Sequence, residues 1–369
     1  MKILILSNGN GEDTIAINII NAFLKHKSDI EFITCPLVGN GKAYLNNNLN
    51  TLIQNPIFPS GGFIRSIKDL LGDIKAGLIS HIRTQINAIK KTEDIDITIA
   101  VGDVFCLWLA SFSKTPTFFL PTAKSDHFMP HSFFERWAIR KLTTHSFPRD
   151  IPTTNSFNQH NLPASFYGNP MMDSLITNQK AINNPTNAPV IGLLPGSREE
   201  AYQNLIHMLT ICEAFFQKTS NPIFVCALPQ TLTIQKIAQE SKWTYNPTKK
   251  YLQSPKQGCI VHLTTHFKEL INQANCIIGL AGTANEQALY LGKTVICFEG
   301  FGPQSSLKRF REQQKLMGDT LVISETKQPD YIIKILEKTL QKNPAKKNNS
   351  INLNASEKIS EQILKTIKT

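Results

Sequence analysis

Short apolar runs recur along the chain, each closed by turn-forming residues, and stretches with helical periodicity lie between them. Lys2 to Leu6, Ile30 to Cys35, Ile97 to Val101, Thr117 to Leu120, Val190 to Leu194, Ile223 to Ala227, Ile260 to Leu263, Cys276 to Leu280 and Thr294 to Phe298 are such runs. They do not alternate with polar residues, which is the pattern of strands buried on both faces of a parallel sheet. Between them, Ile15, Ile19, Ala22 and Phe23 recur at helical spacing over Thr14 to Lys25. Further helices are expected over Phe133 to Lys141, Tyr202 to Lys218, Asn285 to Leu291, Ser305 to Met317 and Asp330 to Leu340. Alternation of strand and helix predicts βαβ units. A polar stretch from Asn178 to Pro189 separates two such series, and a Lys/Asn-rich linker, Asn343 to Asn354, precedes a last amphipathic helix, Ala355 to Lys368. The pattern predicts two α/β domains, residues 1–170 and 171–354, with the helix of 355–369 closing back on the first. The stretch from Phe63 to Lys91 carries apolar residues at helical spacing, punctuated by Arg65, Lys68, Lys75, Arg83, Lys90 and Lys91. It reads as one or two amphipathic helices covering a sheet, and together with Ile57 and Phe58 as a face that dips into an anionic bilayer.

Length and charge narrow the picture. A chain of 369 residues with 41% hydrophobic content has enough material for two cores. No apolar run is long enough to span a bilayer, and the first residues read as a strand rather than a signal peptide. The seven cysteines include no C-x-x-C pair and fit buried, reduced thiols in a cytoplasmic protein, peripheral on the inner face of a membrane. A formal net charge of +11 points to an anionic partner. No nucleic-acid module is present, so phosphorylated ligands and an acidic membrane surface are the expected partners.

Several turns carry candidate chemistry. At Ile277 to Gln304 a strand leads through Ala281-Gly282-Thr283-Ala284 into a helix, and a second strand ends in Glu299-Gly300-Phe301-Gly302-Pro303. Small residues at a helix start let an anion approach the free N–H groups, with Glu286 one turn further on and suited to a sugar diol. The run Val190 to Leu194 leads into Pro195-Gly196-Ser197-Arg198, offering N–H groups, a hydroxyl and a guanidinium to phosphate. The loop after the first strand, Ser7-Asn8-Gly9-Asn10-Gly11-Glu12-Asp13, lacks the third glycine of a dinucleotide fingerprint and places two carboxylates where a pyrophosphate would sit. There Asp13 either caps the helix or joins Asn8, Gly9, Asn10 and Gly11 in binding acceptor hydroxyls. Asp103, after the run Ile97 to Val101, stands either as a helix N-cap or as a general base. His127 and His131 have no third ligand, so no metal site is expected.

Leu194-Pro195-Gly196-Ser197-Arg198-Glu199, Tyr167-Gly168-Asn169-Pro170-Met171-Met172-Asp173 and Gly282-Thr283-Ala284-Asn285-Glu286 occur in the order found in lipid-A-disaccharide synthase, which the chain resembles over essentially its whole length. The resemblance implies the glycosyltransferase B fold, two Rossmann-like domains facing a cleft. It implies a UDP-sugar donor in the second domain, a lipid or lipid-linked acceptor in the first, and neither metal nor cofactor. Gly196, Ser197 and Arg198 would face the diphosphate, with Gly282 and Thr283 completing the cradle beside Asn285. Glu286 would meet the ribose and Gln304 the donor sugar. Asp103, or failing it Asp13, would be the base. The acceptor side departs from the synthase: its acidic segments are replaced here by Asn8-Gly9-Asn10-Gly11-Glu12-Asp13 and Gly102-Asp103-Val104-Phe105-Cys106. The expected activity is therefore metal-independent hexosyl transfer in a divergent branch. A UDP-sugar epimerase of the same fold and a non-catalytic nucleotide-sugar-binding protein are the alternatives.

Overall fold

In the computed structural model the described residues are 1–53, 77–127, 129–175, 177, 179–218, 222–229, 231–256, 258–302, 305–341 and 354–368. Ile57, Phe58 and residues 63–76 of the basic amphipathic stretch lie outside them, as do Gln304 and residues 343–353 of the Lys/Asn-rich linker. The chain forms two compact units, Met1–Ser174 with Asn352–Thr369, and Leu175–Ile351.

The first unit is built on five parallel strands, β1 (Lys2–Ser7), β2 (Glu31–Pro36), β3 (Ile97–Gly102), β4 (Thr117–Pro121) and β5 (His145–Ser146), in the order β2-β1-β3-β4-β5. The continuous apolar runs are explained by burial on both faces. Ile3, Ile5, Ile97, Ile99, Phe118 and Leu120 point into one core, and Leu4, Leu6, Ala100 and Phe119 into the other. Helix α1 (Asn10–His26) covers the first core and the short α2 (Lys42–Leu45) delivers Tyr44 to it. The second core is covered by α3 (Leu78–Lys91), α4 (Val104–Ala110), α5 (Phe133–Leu142) and α6 (Ile151–Gln159), through residues such as Ile89, Leu107, Ile139 and Phe157.

Helix α1 begins at Asn10 rather than near Thr14, so the glycine-rich segment is the helix's first turn and not a loop. Asp13 accordingly is no cap: its N–H donates to Gly9 O at 2.7 Å, and Gly9 holds the N-cap position.

The second unit carries an eight-stranded sheet: β6 (Val190–Leu194), β7 (Ile223–Ala227), β8 (Thr244–Asn246), β9 (Tyr251–Gln253), β10 (Ile260–Thr264), β11 (Cys276–Gly279), β12 (Thr294–Phe298) and β13 (Leu321–Ser324). Six strands run parallel in the order β13-β12-β11-β6-β7-β10, and β9 and β8 extend the β10 edge antiparallel. Its helices are α7 (Ala201–Lys218), α8 (Ile234–Ser241), α9 (Phe267–Gln273), α10 (Thr283–Tyr290), α11 (Leu307–Met317) and α12 (Pro329–Gln341).

A final helix, α13 (Ala355–Lys368), belongs to the first unit. Ile359 and Ile363 enter the core beneath α1, and Lys25 of α1 pairs with Glu357 at 2.6 Å. Asp173 accepts from the N–H groups of Ala355 and Ser356 at 3.1 and 2.6 Å, satisfying donors that a helix start leaves open. The Tyr167-to-Asp173 segment thus has a structural task. Asn169 accepts from Met171 N–H, Pro170 O accepts from Asn18, and Asp173 anchors the returning helix.

Candidate functional site

In a parallel sheet, ligands bind beyond the carboxyl ends of the strands where the strand order reverses. In the second unit that point lies between β6 and β11, which pair directly. The turns leaving these strands are the two singled out in the sequence, and Leu280 N–H donates to Leu194 O at 2.8 Å, holding them side by side. Between them opens a cavity of about 530 Å³. Gly196, Ser197, Arg198, Gly282 and Thr283 all line it, with Glu200, Thr265 and Ser305 on other parts of the wall. Gly196 takes a φ of +101°, which turns the chain sharply after Pro195. Thr231 Oγ1 donates to Ser197 O at 2.7 Å and pins that turn. Gly282, Thr283 and Ala284 face the same cavity, so the N-terminus of α10 opens into it. Free N–H groups, a helix dipole and one guanidinium form a cradle for an anion.

Asn204 went unnoticed in the sequence. It is buried on α7 and spans the far side of the cavity: its side-chain amide donates to Pro195 O at 3.1 Å, and its Oδ1 accepts from Phe301 N–H at 2.7 Å. It ties the turn after β6 to the turn after β12. Gly300 permits this, because a Cβ there would stand 2.7 Å from Asn204 Oδ1. Ser305 O accepts from Gly300 N–H at 2.9 Å and closes the β12 turn on itself.

Two of the expected donor-side residues lie off the cavity wall. Asn285 is fully buried and does not line the cavity; its amide donates to Gly279 O at 3.1 Å, bracing the turn from behind. Glu286 lies on α10 with Gln313 Nε2 3.5 Å from its Oε1, and it too is outside the cavity wall.

In the first unit the strand order reverses between β1 and β3, which brings Asn8 beside Gly102 and Asp103. A Cβ on Gly102 would meet the Asn8 side chain at 2.6 Å. Asp103 accepts from Cys106 N–H at 3.0 Å and is the N-cap of α4. Glu12, passed over as a candidate, lies at this point: Thr122 Oγ1 donates to it at 3.3 Å, and Arg149 donates to Thr122 O at 3.2 Å. Burial pushes the Glu12 carboxyl above its ordinary value and the charge of Asp103 adds to this, while Thr122 and Arg149 oppose it. Two adjacent acids after a buried strand were the signal available in the sequence.

Asp13 points elsewhere. It is buried, with Ser7 Oγ donating to its Oδ1 at 2.6 Å; Tyr44 OH, 2.6 Å from Ser7 Oγ, must then be the donor to Ser7. Its Oδ2 has no partner, and burial raises its pKa to about 7, with Ser7 opposing and Glu12 adding. Asp13 is therefore an internal carboxyl rather than a base presented to an acceptor. Gly9 and Gly11 sit at the start of α1 beside this cluster.

Asp126 accepts from Ser156 and pairs with His131 Nδ1, a buried clamp on the segment after β4. No group of three or more metal-ligating side chains occurs among the described residues.

No protein-family model and no curated protein matches the chain. Solved structures do. The chain is similar to UDP-GlcNAc 2-epimerase from Methanocaldococcus jannaschii, with 16% identity over 99% of this chain and 100% of that one and a TM-score of 0.63. It is similar to UDP-GlcNAc 2-epimerase from Neisseria meningitidis bound to UDP-GlcNAc, with 17% identity, 99% and 100% coverage and a TM-score of 0.61. The glycosyltransferase of kitacinnamycin gives 11% identity, 99% coverage of both chains and a TM-score of 0.64. The chain has the two-domain glycosyltransferase B fold. The structures it resembles are UDP-GlcNAc 2-epimerases and glycosyltransferases; a narrower likeness to lipid-A-disaccharide synthase is not shown by them.

Proposed function

We propose that the protein is a UDP-sugar enzyme whose nucleotide diphosphate occupies the cavity between β6 and β11. The carrying observation is that cavity, at the strand-order reversal, with Arg198, the Gly196 turn and the α10 N-terminus all lining it. Epimerisation of the sugar is the reading that the similar structures favour over transfer to lipid A precursors. Glu12 and Asp103 are assigned as its acid–base groups, since inversion at a ring carbon needs a proton taken from one face and returned to the other.

Sugar transfer to a lipid or lipid-linked acceptor is the second reading, favoured by one observation. No histidine lines the cavity, and Glu200 is its one carboxylate among the described residues. Transfer needs a base only at the acceptor hydroxyl, while the leaving diphosphate is stabilised electrostatically by Arg198 and backbone N–H groups.

Calorimetry with UDP tests the cavity. Arg198→Ala should weaken binding about 10- to 100-fold, the worth of a charge-assisted contact of roughly 1.5–3 kcal/mol. An unchanged affinity removes Arg198 from the site. Incubation of UDP-GlcNAc in deuterated water separates the reactions: epimerisation at C2 introduces solvent deuterium there without an acceptor, whereas transfer releases UDP only when an acceptor is supplied. Glu12→Gln and Asp103→Asn should lose turnover with UDP affinity intact. Asparagine caps a helix as well as aspartate does, so α4 is preserved in the second variant.

A further inference from the structure

The two helical layers of the first unit differ in kind. On one face of the sheet, α1 and α13 balance Glu12, Asp13, Glu357 and Glu361 against Lys25, Lys358, Lys365 and Lys368. On the other, α3, α4 and α5 carry Arg83, Lys90, Lys91, Arg136, Arg140 and Lys141 against Glu135 alone, and Glu135 is itself paired with Lys124 at 2.5 Å. The aromatic residues divide the same way. Among the described residues, the exposed large aromatics of the first unit are Phe105 and Trp108 on α4 and Phe133, Phe134 and Trp137 on α5, with Phe133 and Phe134 69% and 78% exposed. They form connected groups: Phe105 and Trp108 have ring centroids 5.6 Å apart, Trp108 meets Phe112 edge-on at 5.1 Å, and Lys90 stands over the Phe112 ring at 5.0 Å. Phe133 and Phe134 pack edge to face at 5.8 Å.

We propose that this α4/α5 face, with the lysines and arginines of α3 and α5 around it, docks the protein on an anionic phospholipid bilayer. Tryptophan and phenylalanine beside a mainly basic surround suit the headgroup boundary, where rings enter the acyl margin and cations meet acidic headgroups. A second copy of the chain fits worse, since an isologous contact would press cations against cations. The position also suits a surface enzyme. Helix α4 leaves the carboxyl end of β3 with Asp103 as its N-cap, so the aromatic face begins beside that carboxylate. The proposal does not depend on which reaction the second unit serves.

Trp108 and Trp137 report on the face directly, because the remaining tryptophan, Trp243, is buried in the second unit. The full chain would be mixed with vesicles of phosphatidylcholine alone, or containing phosphatidylglycerol, with brominated acyl chains as quenchers. Phosphatidylglycerol vesicles should bind the protein, shift its emission to the blue and quench it, and the effect should fade as salt rises. Phe133→Ser/Phe134→Ser should weaken partitioning at least about ten-fold, as should Lys91→Glu/Lys141→Glu, whereas Lys365→Glu on the opposite layer should bind as wild type does. Circular dichroism confirms that each variant is folded, and UDP affinity, read separately, reports on the nucleotide site. No binding of wild type at low salt overturns the proposal. So does equal binding by all variants, or a dimer in sedimentation velocity that the double serine variant converts to monomer.

Discussion

Two side chains in this protein do work that their position in the sequence does not announce. Asn204 joins two turns that come from strands far apart in the chain, and its removal would leave Pro195 O and Phe301 N–H without their partner. Asn204→Ala should cost about 1–3 kcal/mol of stability and weaken UDP binding, because the Gly196 turn is no longer held. Asn204→Asp should be no rescue, since a carboxylate accepts from Phe301 N–H but has nothing to donate to Pro195 O. Thermal melts and calorimetry on the two variants check this; a destabilised variant with full UDP affinity would reduce Asn204 to a packing role. Asp13 makes a pH-dependent contribution. Its pKa is raised to about 7 in the folded protein, against about 3.9 for an ordinary aspartate in the unfolded chain. The folded state therefore binds more protons between those values. Its stabilising share is complete below the lower value, falls as pH rises, and is lost above the upper one. Asp13→Asn should flatten the slope of stability between these values and be more stable than wild type above about pH 7. Urea midpoints across that range decide it.

At the scale of elements, the strands were legible wherever burial on both faces left an uninterrupted apolar run. β1, β3, β6, β11 and β12 stand where the runs predict them, within a residue or so at their ends. The small-residue turns were legible too, because glycine, serine and threonine before a helix have few other uses at the end of a buried strand. What escaped has physical reasons. β8, β9 and β13 are three or four residues long, too short for any periodicity. α4, Val104-Phe105-Cys106-Leu107-Trp108-Leu109-Ala110, mixes buried and exposed apolar residues, so no polar stripe marks it as a helix. The first turn of α1 reads as loop from its polar residues, and tertiary contacts from Ser7 and Tyr44 hold Asp13 in the helix. Asn285 shows the limit most clearly. A polar residue at a helix start suggests a ligand contact, yet it turns inward because Gly279 has no side chain; a Cβ there would lie 2.1 Å from Asn285 Oδ1.

At the scale of the whole molecule, the closing helix makes a separable prediction. The chain leaves the first unit near Ser174 and comes back to it with α13, whose Ile359 and Ile363 fill the core between α1 and the sheet. No residue of α13 lines the cavity of the second unit. Truncating a buried isoleucine to alanine costs about 2–5 kcal/mol, transfer and cavity contributions together. For a unit of this size each kcal/mol lowers the melting temperature by about 2–4 °C. Ile363→Ala should therefore move the unfolding of the first unit down by about 5–15 °C, and it should leave UDP affinity at temperatures below that transition unchanged. Differential scanning calorimetry, with and without saturating UDP, resolves the two effects. Added UDP should raise only the transition of the second unit, since a ligand stabilises the state that binds it. If Ile363→Ala weakens UDP binding as much as it lowers the first transition, the nucleotide site is not confined to the second unit. The cavity between β6 and β11 would then be only part of it.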